Sequence, residues 1–116
     1  MRKRIVIPVV GLLLLMGCVA EPEKPVDLIG KSEMVDVLIQ VHLLEAKINK
    51  VPKRQGDSAH FLYNHYQNLL FEEMNIDSAS YRSSMNYYLE YPEELTSIYQ
   101  AVVDSLALRA KNRNID

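Results

Sequence analysis

The sequence predicts an all-α protein, a compact bundle of four helices that follows a signal peptide and a flexible tether. Apolar residues recur at helical spacing in four segments. Stretches that contain proline, glycine or asparagine separate these segments, where helices are expected to end. The sequence shows no strand-like alternation bounded by hairpin turns. Because the connections are short, neighbouring helices are expected to run roughly antiparallel.

Residues 1–17 are predicted to be a signal peptide. The chain begins with Arg2, Lys3 and Arg4, and an apolar run follows over residues 5–16. This layout matches the positive and apolar regions of a secretory signal. The run is too short for a membrane-spanning helix, which needs about 20 apolar residues.

Cys18 is the only cysteine, and it directly follows Gly17 at the end of the apolar run. With Leu15 three positions ahead of it, the segment resembles the lipobox of lipoprotein signal peptidase substrates. The resemblance implies cleavage between Gly17 and Cys18, a diacylglyceryl thioether on the cysteine and an acyl chain, such as palmitate, on the new amino group. An anchor with more than one acyl chain holds a protein stably at a membrane.

Two other interpretations of this segment remain: an ordinary signal peptide with a chance cysteine, and a short chain that keeps its signal. A lone cysteine in an exported protein has no partner for an internal disulfide, which favours lipidation. Val19 follows the cysteine, so the aspartate associated with retention in the inner membrane of some bacteria is absent. We therefore expect a cell-envelope protein, in the outer rather than the inner membrane.

The mature chain is predicted to contain a lipidated N-terminus and tether (18–31), a helical domain (32–112) and a C-terminal tail (113–116). Pro22, Pro25 and Gly30 give the tether its flexible composition. The whole chain has 13 basic and 15 acidic residues. Removal of the three basic residues of the signal leaves 10 against 15, a formal charge of −5. This charge argues against nucleic acid as a partner.

The first helix is predicted to begin after Ser32, a suitable N-cap, and to end before the turn-forming residues 52–56. Its apolar stripe, with the residues that widen it, is Met34, Val37, Leu38, Val41, Leu44 and Ile48, flanked by Val35, Ile39, Leu43 and Ala46. A helix with so wide a stripe is expected to be buried on more than one side.

The second helix is predicted to start near Asp57 or Ser58, either of which can cap it, and to close at Asn75. Its expected inner face is Leu62, Tyr66, Leu69, Leu70 and Met74.

The third helix has the clearest start. Asp77 is its predicted N-cap, and Ile76 and Tyr81 have the spacing of a hydrophobic staple. Its predicted stripe is Tyr81, Met85, Tyr88 and Leu89. The helix is short, so it is expected to cross the others at an angle, and it ends before Pro92.

The fourth helix is predicted to begin at Pro92, since proline suits the first helical position. Acidic residues lie in its first turn and basic residues near its end, which complements the helix dipole. Its predicted apolar face is Leu95, Ile98, Tyr99, Val102, Leu106 and Ala110.

His42 and Glu45 are the candidate metal ligands, because they are three residues apart on one predicted helix. Together with Glu72 or Glu73 they could imitate a carboxylate–histidine metal site. Di-metal helical bundles use two Glu-x-x-His motifs, whereas this chain has one motif in reversed order. The alternative is structural: His42 borders the core and bonds to Glu45 or water.

The seven tyrosines contrast with two phenylalanines and no tryptophan, and five tyrosines lie between residues 81 and 99. Tyrosine buries a large ring and keeps a polar tip in water, so it is enriched at interfaces. Tyr87 and Tyr91 lie off the predicted stripe, and with Tyr99 they form the candidate partner surface. The alternative is a small core edged by tyrosines whose hydroxyls reach solvent or a backbone carbonyl.

A pattern that extends over residues 34–46 and 84–102 resembles small lipoproteins of Bacteroidetes-type bacteria that carry a helical domain of unknown function (domain of unknown function 4296). The residues that carry the resemblance are His42, Leu43, Glu45, Ala46, Ser84, Tyr87, Tyr88, Pro92, Leu95, Ile98 and Tyr99. The resemblance implies location and fold, and it implies no activity.

These observations predict a membrane-anchored lipoprotein that is not an enzyme and that binds a protein or peptide. No cofactor is expected besides the covalent lipid on Cys18. The alternative is a helical protein that binds a metal or a small ligand through His42 and Glu45. A homo-oligomer that buries one face of the doubly apolar first helix is a third hypothesis.

Overall fold

A computed structural model describes residues 23–52 and 59–114 of the chain. Within these ranges it contains four helices and no strand: α1 (Lys31–Asn49), α2 (Ala59–Glu73), α3 (Ser78–Leu89) and α4 (Pro92–Arg113). The all-α prediction is confirmed. None of these four helices is both long and apolar enough to cross a membrane. The predicted signal peptide, Cys18 and the predicted caps Asp57 and Ser58 lie outside the described residues.

Helix α1 is the central element, since it packs against both α2 and α4, and α3 packs against α4. On one side Val37 shares a buried cluster with Phe71 of α2. On another side Leu38 shares a second cluster with Ile98 of α4. The prediction that the first helix is buried on more than one side is therefore confirmed.

Contacts along the helices give their relative directions. The end of α1 lies beside the start of α2, because Asn49 and His60 line one cavity. The two helices therefore run antiparallel, as expected for neighbours with a short connection. The starts of α1 and α4 lie together, since the Lys31 ammonium is 3.6 Å from the Glu94 carboxylate.

Residues 25–30, which we call the entry segment, lead into α1 and lie against α3. The Ile29 N–H donates a hydrogen bond of 2.9 Å to the Ser84 hydroxyl. The Tyr88 hydroxyl donates a bond of 2.7 Å to the Ile29 carbonyl. We call this pair of bonds the Ile29 clamp. Because Ser84 and Tyr88 are four residues apart, they share one face of α3 and reach both polar groups of one residue.

A third contact extends the same face of α3. The Ser80 hydroxyl, one turn before Ser84, donates a hydrogen bond of 2.5 Å to the Asp27 carboxylate. Ile29 itself is 6% exposed and belongs to the main core cluster. The core thus includes Ile29, and Asp27 is bonded to α3 at the surface, so contacts with the helices begin before the predicted start of the helical domain at residue 32.

The prediction that Ser32 caps α1 is wrong. The N-cap is Gly30, with extended backbone and no side-chain cap bond, and Ser32 lies exposed in the first turn. The Gly30 carbonyl accepts the first helical bond, 2.8 Å from the Met34 nitrogen. The clamp fixes Ile29 immediately before this point, so tertiary contacts rather than a polar cap set the start of the helix.

The turn between α2 and α3 follows the sequence prediction. Asn75 has a left-handed backbone, with φ 56°. The N–H groups of Asn75 and Ile76 bond to the carbonyls of Glu72 (3.1 Å) and Phe71 (2.8 Å). This is a Schellman closure with asparagine in the place usually held by glycine. The Asp77 carboxylate then accepts a 3.3 Å bond from the Ser80 N–H, which confirms Asp77 as N-cap.

The predicted inner face of α2 is wrong in part. Tyr66 and Leu69 are 47% and 46% exposed, whereas Phe71, absent from the prediction, is buried. Leu70 and Met74 pack beside Phe71 as expected. Since α2 is apolar on two sides, periodicity alone could not decide which side faces α1.

Smaller differences occur at the ends of three apolar stripes. Leu89 is 56% exposed, and Ala46 and Ala110 are exposed as well. These positions lie in the final turns of α3 and α4 or on the outer side of α1. The start of α4 agrees with the prediction, since Pro92 is its first residue.

Replacing Tyr88 with phenylalanine tests the Ile29 clamp. The change keeps the ring and leaves the buried Ile29 carbonyl without its donor. We expect the free energy of unfolding to fall by about 1–3 kcal/mol, measured by urea denaturation with circular dichroism. Tyr66→Phe, at an exposed ring, is the matched control and is expected to change stability by less than about 0.5 kcal/mol. Equal urea midpoints for the two variants would contradict the clamp's role.

Candidate functional site

Tyr87 and Tyr91 lie together at the junction between α3 and α4. Their ring centroids are 4.8 Å apart, and the Tyr87 ring also meets Tyr88 edge-on at 5.5 Å. Both Tyr87 and Tyr91 are half-buried. They lie next to the ring that forms the clamp, so they support the core and also present aromatic surface.

Tyr99, the third member of the predicted partner surface, lies on α4 and contacts a different neighbour. Its ring is 6.1 Å from that of His42 on α1. It is half-buried, packs against the main core cluster and borders a shallow depression with Leu95 and Val103. The described ring contacts therefore place Tyr99 beside α1, and place Tyr87 and Tyr91 beside each other.

His42 and Glu45 are in contact, with 3.3 Å between the His42 Nδ1 and the Glu45 Oε2. Within residues 23–52 and 59–114, no group of three or more histidine, cysteine, aspartate or glutamate side chains converges as a metal site. Protein zinc sites use at least three such ligands. The arrangement is a local contact between two partly exposed side chains one turn apart on α1.

Tyr81 is a half-buried phenol whose pKa is raised by its surroundings. Burial raises the pKa of Tyr81 to about 12, and the neighbouring Tyr63, Tyr99 and Glu45 add to the rise. Its ring packs on Phe71, with centroids 4.9 Å apart. The phenol is protonated at neutral pH, and its ring contributes to the core beside Phe71.

A groove of about 410 Å³ runs between α2 and α3. Carboxamides line much of it: Asn64, Gln67 and Asn68 on α2 and Asn86 on α3. The guanidinium-bearing Arg82 lies one turn before Asn86. Among the described residues that line the groove, none carries a carboxylate. The groove is therefore rich in neutral hydrogen-bonding groups and contains one cationic side chain.

Apolar and aromatic side chains also line this groove. Phe71 is buried, and Tyr81 and Met85 are half-buried. The groove therefore presents an apolar surface beside its polar groups.

The polar side chains of the groove differ in how they are bonded. The Gln67 amide donates to the Tyr63 hydroxyl at 2.9 Å, and the Asn64 amide nitrogen lies 3.1 Å from the His60 ring. Within the described part of the chain, the side chains of Asn68, Arg82 and Asn86 form neither a hydrogen bond nor an ion pair. These three groups are available to a ligand.

Two polar side chains of the groove, Arg82 and Asn86, lie on the side of α3 away from the Ile29 clamp. They are four residues apart and share one face, which at about 100° per residue points away from Ser84 and Tyr88. Tyr81, which also lines the groove, lies close to the direction of Tyr88. The groove was not predicted from the sequence because its polar residues lie on two helices. The four-residue spacings of Asn64 with Asn68 and of Arg82 with Asn86 were the only signal.

A family model described as Domain of unknown function (DUF4296) matches residues 25–112. The match starts at Pro25, the first residue of the entry segment. No curated protein and no solved structure matches the chain.

The raised pKa of Tyr81 predicts a loss of stability at high pH. A phenol that ionises near pH 10 when unfolded and near 12 when folded favours the folded state fully below pH 10. That contribution is lost as pH rises from about 10 to about 12. We expect the urea midpoint of wild type to fall faster between pH 9 and 11 than that of Tyr81→Phe. Parallel pH profiles for the two proteins would contradict the assignment.

Proposed function

This chain belongs to the DUF4296 family, and we propose that it is a lipid-anchored helical module of the bacterial cell envelope that binds a protein or peptide partner. In this proposal the protein catalyses no reaction and carries no cofactor besides its lipid. The observation that carries the binding role is the α2–α3 groove, in which Asn68, Arg82 and Asn86 have no side-chain partner among the described residues.

The anchor is supported by the order of features around Cys18. A basic start, an apolar run and Leu15-Met16-Gly17 precede the cysteine. The cysteine lies nine residues before Asp27, the first residue of the entry segment with a contact to α3. Nine extended residues span at most about 30 Å. A lipid on Cys18 would therefore hold the bundle close to the bilayer, and we favour the outer membrane.

A binding role rather than a catalytic one is supported by how the reactive side chains are used. Ser84 and Tyr88 are committed to the clamp, and His42 contacts Glu45. The Tyr81 ring packs on Phe71. Each of these groups has a structural partner, and the unpartnered groups of the groove are amides and a guanidinium, which are suited to recognition.

Lipidation is tested by Cys18→Ser. The wild-type chain is expected to incorporate an alkyne analogue of palmitate and to have an intact mass that lacks residues 1–17 and includes lipid. The variant is expected to keep the signal peptide and take up no label. Val19→Ser, the same kind of change one residue later, is the control and should be labelled like wild type. Label on the Cys18→Ser protein, or none on wild type, would refute the anchor.

Partner binding is tested by a photo-crosslinking amino acid placed at single positions in living cells. Asn68 reports on the groove, Tyr91 on the tyrosine pair, and the exposed Asp104 on α4 serves as control. We expect a reproducible partner adduct from position 68 and none from position 104. Adducts from position 91 alone would move the binding surface to Tyr87 and Tyr91. No specific adduct from any position would contradict a binding role.

A further inference from the structure

We propose that the α2–α3 groove binds an extended peptide segment of a partner protein, with an acidic side chain of that segment on Arg82. The inference rests on the proposed binding function and names the chemistry of its ligand. It differs from a general apolar docking surface, because the groups of the groove that lack partners are polar.

The carboxamides of the groove match a peptide backbone. Each asparagine or glutamine side chain offers both a donor and an acceptor, as each peptide unit does. Asn68 on α2 and Asn86 on α3 are exposed, line the same groove and are unpaired within the described residues. An extended segment lying between them can therefore exchange hydrogen bonds with both helices.

The apolar part of the groove suits side chains of such a segment. Alternate side chains of an extended peptide point to opposite sides. Those that face the protein would meet Phe71 and Met85, while the others stay in solvent. Peptide-recognition sites commonly combine backbone hydrogen bonds with pockets for alternate side chains.

Charge complementarity selects the acidic side chain. Arg82 has no ion-pair partner in the part of the chain that the structure describes, and no described residue that lines the groove is acidic. An acidic segment thus meets its counter-charge at Arg82, and a guanidinium can bind a carboxylate through two parallel hydrogen bonds.

A display library of random heptapeptides, panned on the full-length protein in detergent micelles, tests this assignment. Wild type is expected to enrich peptides that contain aspartate or glutamate. Arg82→Glu is expected to enrich lysine or arginine instead. Arg109→Glu, the same charge reversal at an exposed position on α4, is the control and should keep the acidic preference. Circular dichroism checks that all three proteins retain their helices.

The affinity of one enriched acidic peptide, measured by fluorescence anisotropy, gives the size of the effect. We expect Arg82→Glu to weaken binding by about tenfold or more, the scale of one charge-assisted hydrogen bond, and Arg109→Glu to leave it unchanged. The conservative Arg82→Lys should retain part of the affinity, because it keeps the charge and loses the forked geometry.

Three results would overturn the inference: no enriched peptide, enriched peptides without acidic residues, or acidic peptides that bind Arg82→Glu as well as wild type. Binding of chitotriose, a neutral glycan that bears amides, in place of peptides would assign the groove to glycans instead. If the in-cell adduct at position 68 forms while the acidic preference is absent, the binding function survives and only the chemistry of its ligand is wrong.

Discussion

The hydrogen bonds from Ser84 and Tyr88 to the backbone of Ile29 are the constraint on which the arrangement of the helices depends. The bond from the Ile29 N–H to Ser84 spans 55 residues of sequence, and the bond from Tyr88 to the Ile29 carbonyl spans 59. Both side chains are buried, so each bond satisfies a group that would otherwise lose its hydration without compensation. The clamp fixes where α1 begins and which face of α3 turns inward. The directional hydrogen bonds of a serine and a tyrosine thus select one orientation of α3, which apolar packing alone would not specify.

The position of α3 determines the groove. Helix α3 has 12 residues, and an isolated helix of that length is only marginally stable in water. It therefore depends on contacts with the rest of the protein. It is held by the Asp77 cap, by the clamp and by packing of Tyr81 on Phe71. Because the clamp occupies one face, Arg82 and Asn86 are presented on the other face, toward α2. The entry segment and the groove therefore both depend on the position of α3.

Local signals in the sequence predicted the local structure well. The Asp77 cap, the Asn75 closure, the Pro92 start and the double-sided burial of α1 follow from residue chemistry and spacing. Features that depend on tertiary contacts were mispredicted or missed. Ser32 has the chemistry of a cap, but docking of Ile29 moved the start of the helix to Gly30. Ser84 is polar and buried because its partner is remote in sequence, and the groove exists only once α2 and α3 lie side by side.

Amide hydrogen exchange at Ile29 tests the central claim most directly, because that N–H has its hydrogen bond only if the entry segment is docked on α3. In the full-length protein, we predict that the Ile29 amide is protected to the same degree as the Met34 amide in α1, which bonds to Gly30. Ile29 exchange as fast as that of Val26, whose side chain is fully exposed, would show that the entry segment is not clamped. That result would contradict the claim that the Ile29 clamp determines the positions of α1, α3 and the groove.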